Sequence, residues 1–249
     1  MKNLIYPAPD IQVGAPPPSF VEVVLPLADG SEFIAWHRPQ TGEDSRPAMV
    51  FFHGNGENLE TMKWAGLYEQ LSSLAVPVLA VDYPGYGRGT GRSSEESLKE
   101  ASEVAFQWMG QQYPGRGVVP CGWSLGAALA IHLAATSPAE LVGVVAISPW
   151  TSLTEVANGH FPRWLVSVGL REEYDSLTAA RSIASPALIL HGTVDQIIPA
   201  EQGQRLAAEL KTARWVPVAG AGHNDLLSFP VVWREIDSFV SGLKTPGSV

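Results

Sequence analysis

Ser124 stands between two glycines, in Gly122-Trp123-Ser124-Leu125-Gly126, where one apolar run gives way directly to another. Before it, Val118 to Trp123 reads as a short buried strand. After it, Leu125, Leu129 and Leu133 repeat at helical spacing in an alanine-rich stretch. The serine therefore occupies a turn of almost no length. Glycines two places to either side leave room where side chains would collide with strand and helix. Such a turn exposes the hydroxyl at a helix N-terminus, where developing negative charge is favoured. The competing reading is a small residue at a tight strand–helix junction.

A serine hydroxyl is a poor nucleophile without a base. Six histidines compete for that role. His132 lies inside the apolar helix and suits packing or the surface, and His37 belongs to an early hairpin. His160 falls in an insertion, where a substrate contact is possible. His53 and His191 each end a strand as His-Gly, a setting for bonding turn backbone. His223, in GAGHNDLL after the last strand-like run, is the expected base, with loop stabilisation as its alternative. The carboxylate that would hold the imidazole tautomer is expected at Asp195, in LILHGTVDQIIP, where a helix N-cap is the competing role. Asp82 also ends a strand, but it precedes the nucleophile and a rigid YPGYGRG turn. Asp225 is too close to His223 in the chain to orient it from a separate element.

These side chains need a scaffold that brings them to one edge. FVEVVLPL and EFIAWHRP flank ADGS as a hairpin. RPAMVFFHG, VPVLAVDYPG, the Val118 run, LVGVVAISP, PALILHG and ARWVPVAG read as strands. ENLETMKWAGLYEQLSSLA, SSEESLKEASEVAFQWMGQQYP, the helix after Ser124, EQGQRLAAEL and FPVVWREIDSFVSGL read as helices. In the second of these a serine followed by glutamate marks a capping-box start. The alternation predicts an α/β fold, a mostly parallel sheet of about eight strands with helices on both faces. No linker or repeat divides residues 1–249, so one domain is expected. An insertion at about 150–178, rich in Trp, Phe, Leu and Val, is expected to cap the carboxyl ends of the strands.

Composition narrows the function. The chain has 249 residues, 45% of them hydrophobic, enough for a substantial core. A net charge of −9 and no basic run make nucleic acid and anionic membranes poor partners. One cysteine excludes an intrachain disulfide and fits a reducing compartment. The N-terminal stretch lacks signal-peptide character, and no apolar run approaches the roughly 20 residues that span a bilayer. A cytoplasmic protein without integral membrane association is expected, as a monomer or small homo-oligomer. Metal and nucleotide motifs such as HExxH, paired CxxC and GxxxxGK[ST] are missing, so no metal or cofactor is expected.

From about Val21 to Leu243 the chain resembles the α/β-hydrolases. FFHGNGEN, VDYPGYGRGTGRSSEESL, GWSLGAALA, SPWTSL and LILHGTVDQIIP are similar to the Bem46-like serine hydrolases and to α/β-hydrolase domain-containing proteins 13 and 17. HGNGEN is also similar to the HG-x-G-E stretch of monoacylglycerol lipases. The order Ser124, Asp195, His223 is that of the fold. The resemblance implies an oxyanion hole from the backbone N–H groups of Leu125 and Asn55, the asparagine side chain being either incidental or a turn residue. It implies hydrolysis of a small acyl ester or thioester through an acyl-enzyme. Trp123 is bulkier than its counterpart in many members and either walls the pocket or packs in the core. Trp150, Phe161 and Trp164 are candidate apolar substrate contacts, with packing inside the cap as the alternative. A small cap implies a shallow, partly open cleft. A ligand-binding receptor or scaffold, or a serine peptidase, stays open on the same scaffold; a dehalogenase would need a carboxylate in place of Ser124.

Overall fold

Strands buried on both faces require helices above and below them, and the molecule is built that way. The computed structural model describes residues 5–40, 46–136 and 138–244. Eight strands among these residues form one sheet in the order β1-β2-β4-β3-β5-β6-β7-β8. They are β1 (Val21–Pro26), β2 (Glu32–Arg38), β3 (Ala48–Phe52), β4 (Val78–Val81), β5 (Val118–Trp123), β6 (Val144–Ile147), β7 (Ala187–Gly192) and β8 (Ala213–Val218). β1 and β2 form the expected hairpin, and β2 joins β4 antiparallel; all other neighbours are parallel. Every residue of β3 to β7 is buried, whereas edge strand β1 exposes Val21 and Val24.

The helices are α1 (Leu59–Trp64), α2 (Leu67–Ser73), α3 (Glu95–Gln112), α4 (Leu125–Thr136), α5 (Leu153–His160), α6 (Arg163–Gly169), α7 (Ser176–Ala180), α8 (Ala200–Glu209) and α9 (Pro230–Ser241). Alternation along β3 divides the core. Ala48, Val50 and Phe52 pack with Leu98, Ile131 and Leu206 of α3, α4 and α8. Met49 and Phe51 pack with Leu59, Leu71 and Ile236 of α1, α2 and α9.

Two local details differ from the sequence reading. The helix expected across ENLETMKWAGLYEQLSSLA is two helices, because Gly66 adopts a left-handed conformation at φ 71°. The capping box of α3 has Ser94 as its cap, and the reciprocal partner is Ser97 in place of the expected glutamate.

Register sets the position of the site. Phe52 lies beside Gly122, Trp123 beside Ile147, and Ile147 beside Leu190. The carboxyl ends of β3, β5, β6 and β7 therefore share one rim, where open α/β sheets bind ligands. α5 and α6 lie in the insertion between β6 and α7. α5 buries no residue fully and α6 buries only Val166. Polar contacts bind the insertion to the rest of the chain. Glu95 accepts the backbone N–H groups of Glu173 and Tyr174, and His160 Nε2–H donates to Ile197 O. Among the described residues no helix is long and apolar enough to cross a membrane.

Candidate active site

Ser124 has φ 55°, a left-handed conformation that a non-glycine residue adopts only when its surroundings impose it. The surroundings here are tight. A Cβ on Gly122 would lie 2.0 Å from Gly126 O, and one on Gly126 would lie 2.0 Å from Phe52 O. Both glycines are therefore required by the close approach of backbone from β5, α4 and β3. The Ser124 N–H bonds Ile147 O at 2.9 Å, which holds the turn against β6.

The structure brings Ser124, His223 and Asp195 together. Ser124 Oγ lies 3.1 Å from His223 Nε2, and His223 Nδ1 lies 2.7 Å from Asp195 Oδ2. All three are buried. Burial alone would push the Asp195 carboxyl upward, but hydrogen bonds from His191 and His223, with the Ile198 N–H, hold it well below the usual carboxylate range. It is thus an anion and accepts only, so Nδ1 of His223 must carry the proton. Nε2 then accepts from the serine hydroxyl. An imidazole so oriented can take a hydroxyl proton during attack on a carbonyl and return it to a leaving group.

Asp195 is also fixed from behind. Its Oδ1 accepts the N–H groups of Ile197 and Ile198 at 2.9 and 2.8 Å. Its Oδ2 lies 3.3 Å from Nε2 of the fully buried His191, which also bonds Ile198 O at 2.8 Å. Both partners of that nitrogen are acceptors, so it carries the ring proton. His191 does bond turn backbone as its His-Gly setting suggests, and it additionally supports Asp195. Sequence spacing alone does not signal that contact, which depends on how the loop after β7 folds back.

The other candidates fall into place around this centre. Leu125 and Asn55 line the same cavity as Ser124 and His223, and among the described residues neither donates its backbone N–H to another group. The Asn55 side chain is not idle. It donates to Ile5 O and accepts from the Tyr86 hydroxyl at 2.9 Å, anchoring its loop. Trp123 is both wall and core: it is buried, lines the cavity, and lies 5.5 Å from the His223 ring, tilted by 34°. Trp150 lines the cavity and donates from its ring N–H to Tyr174 O. Phe161 lines a neighbouring cavity, whereas Trp164 is 70% exposed and lines neither, because it occupies the opposite side of α6 from Val166. Asp82 has a structural position: it is fully buried and its Oδ1 accepts the Leu59 N–H at the start of α1. Asp225 accepts the Gly222 N–H. Glu57 received no role from its sequence; burial lifts its carboxyl above the usual range beside His53 and His223.

The cleft at this rim has two parts. The cavity holding Ser124 and His223 measures about 220 Å³. Beside it, beneath α5 and α6, is a second cavity of about 570 Å³. Among the described residues no group of three or more His, Cys, Asp or Glu side chains is arranged to hold a metal ion.

Known proteins resemble this chain in sequence and in fold. Residues 47–168 match the family model described as "alpha/beta hydrolase fold", and residues 163–248 match one described as "TAP-like protein". An uncharacterized protein of Mycobacterium tuberculosis is 37% identical over 84% of this chain and 74% of its own length. Alpha/beta hydrolase domain-containing protein 17C of Xenopus laevis is 30% identical over 89% of this chain and 70% of its own. Its human counterpart is 30% identical over 79% of this chain, but the match spans only 59% of that protein. Among solved structures, the Pyrococcus furiosus esterase Pf2001 superimposes with a TM-score of 0.76 at 20% identity, covering 95% of this chain and 98% of that one. Est1E from Butyrivibrio proteoclasticus, solved with ferulic acid bound, gives 0.71 at 16% identity, covering 88% and 98%.

Proposed function

The chain belongs to the α/β-hydrolase family, and on that premise we propose that it is a serine hydrolase cleaving carboxylic esters or thioesters of small or monoacyl substrates. The observation that carries the reading is the continuous hydrogen-bond chain from Ser124 Oγ through His223 to an anionic Asp195, opening on a cavity. The structural neighbours called esterases support the ester class.

In the proposed reaction His223 Nε2 takes the proton as Ser124 Oγ attacks the carbonyl carbon. Backbone N–H groups of Leu125 and Asn55 hold the oxyanion of the tetrahedral intermediate. His223 returns the proton to the departing alcohol or thiol, leaving an acyl-serine. Water then attacks, with His223 again as base, and the acid leaves as the serine regains its proton. Asp195 keeps the ring in the required tautomer and stabilises the imidazolium.

Hydrolysis of p-nitrophenyl acetate by the purified protein at neutral pH tests this. Ser124→Ala is expected to lower kcat by at least about 10³-fold. Wild type and variant that are equally inert would favour a binding protein on this scaffold.

A further inference from the structure

Resting on the hydrolase reading, we propose that Tyr86 is a positioning residue for the oxyanion hole. Its hydroxyl, acting through the Asn55 side chain, holds the Asn55 backbone N–H toward the reaction cavity.

The loop after β3 has little packing at its tip, where Asn55 and Gly56 are exposed. A donor on such a loop stabilises an oxyanion well only if it is held in place beforehand. Hydrogen bonds do the holding. The Tyr83 hydroxyl donates to His53 O at 2.6 Å, and His53 Nδ1–H donates to Gly54 O at 2.7 Å. Gly54 C=O is thus turned to the His53 ring. Across the same trans peptide the N–H of Asn55 points the other way.

Asn55 itself is held through its side chain. Ile5 O can only accept, so it takes the amide Nδ2–H, which leaves Oδ1 for the Tyr86 hydroxyl at 2.9 Å. Tyr86 is a rigid anchor for that bond. Its ring is fully buried, edge-on to Tyr83 at 5.4 Å and 5.6 Å from the His53 ring. Burial, with Asp82 nearby, pushes the phenol above its usual range, so the hydroxyl keeps its proton and remains a donor. Tyr86 lines neither the reaction cavity nor its neighbour, so its effect must pass through Asn55.

Tyr86→Phe removes one oxygen and keeps the packed ring. On p-nitrophenyl acetate it is expected to lower kcat at least about tenfold with KM nearly unchanged, less than outright loss of an oxyanion donor costs. A trifluoromethyl ketone, whose serine adduct carries the oxyanion, is expected to bind more weakly by the same factor; a merely structural role would move stability without that match. Asn55→Ala keeps the backbone N–H but loses the amide that Tyr86 holds. The double variant is therefore expected to be no slower than Asn55→Ala alone. Additive losses, or a folded Tyr86→Phe with wild-type kcat and ketone affinity, would overturn the inference. If Tyr86→Phe does not fold, Asn55→Ala carries the test, and wild-type kinetics in it overturn the inference equally. Wild-type protein inert toward ester and ketone alike would sink the hydrolase reading and this inference together, whereas an active wild type with an indifferent variant sinks this inference alone.

Discussion

Asp195 meets donors on both oxygens, two backbone N–H groups on one and two imidazoles on the other. Asp195→Asn keeps the shape but replaces an acceptor oxygen by an amide that can present N–H to His223. The ring is then expected to settle in the wrong tautomer, with kcat down by about 10⁴-fold, measured on a p-nitrophenyl ester beside an unchanged circular-dichroism spectrum. The same carboxylate ties stability to acid. Its folded-state pKa lies below the ordinary value of 3.8, so its contribution is present above about pH 4 and is lost as pH falls further. A smaller loss of melting temperature below pH 4 in Asp195→Asn than in wild type checks this. Much of this residue-scale picture was legible in sequence. The turn at Ser124 is local, and glycines at fixed offsets announce it. His191 was not legible in its second role, because its approach to Asp195 depends on how the loop after β7 folds back.

Elements are fixed by a few backbone positions. Gly66 separates α1 from α2 with φ 71°, and a Cβ there would meet nothing closer than 3.7 Å. Gly66→Ala therefore introduces backbone strain with no clash, and is expected to cost about 1–2 kcal/mol in denaturant unfolding. Strand and helix order was readable from periodicity, since β3 to β7 are short, largely apolar runs that alternate with segments of helical spacing. The α1–α2 break was not, because apolar spacing continues across Ala65 and Gly66 and hides a change in backbone handedness. At the start of α3 adjacent serines offer two caps; Ser94 takes the role, and Glu95 beside it bonds Lys99 and the backbone of Glu173 and Tyr174.

At the scale of the molecule, the sheet and its helix layers are linked by groups whose protonation matters. His37 on β2 bonds the Tyr113 hydroxyl at 2.8 Å and packs edge-on against Trp108 of α3. Burial pulls its pKa from 6.5 down to about 4. The unfolded chain therefore binds a proton there more readily, so stability is present above pH 6.5 and is lost as pH falls toward 4. His37→Gln is expected to flatten the melting-temperature curve across that window. The capping insertion was legible in sequence, but the size of the cavity that α5 and α6 line was not, because it depends on how two helices with one buried residue between them are placed. The central claim is that Ser124 is an activated nucleophile. Intact-mass spectrometry after exposure to a fluorophosphonate tests it most directly. One adduct per chain, mapped to Ser124 and lost in Ser124→Ala, is the expected result; wild-type protein that stays unmodified at neutral pH, or is modified elsewhere, would contradict the account.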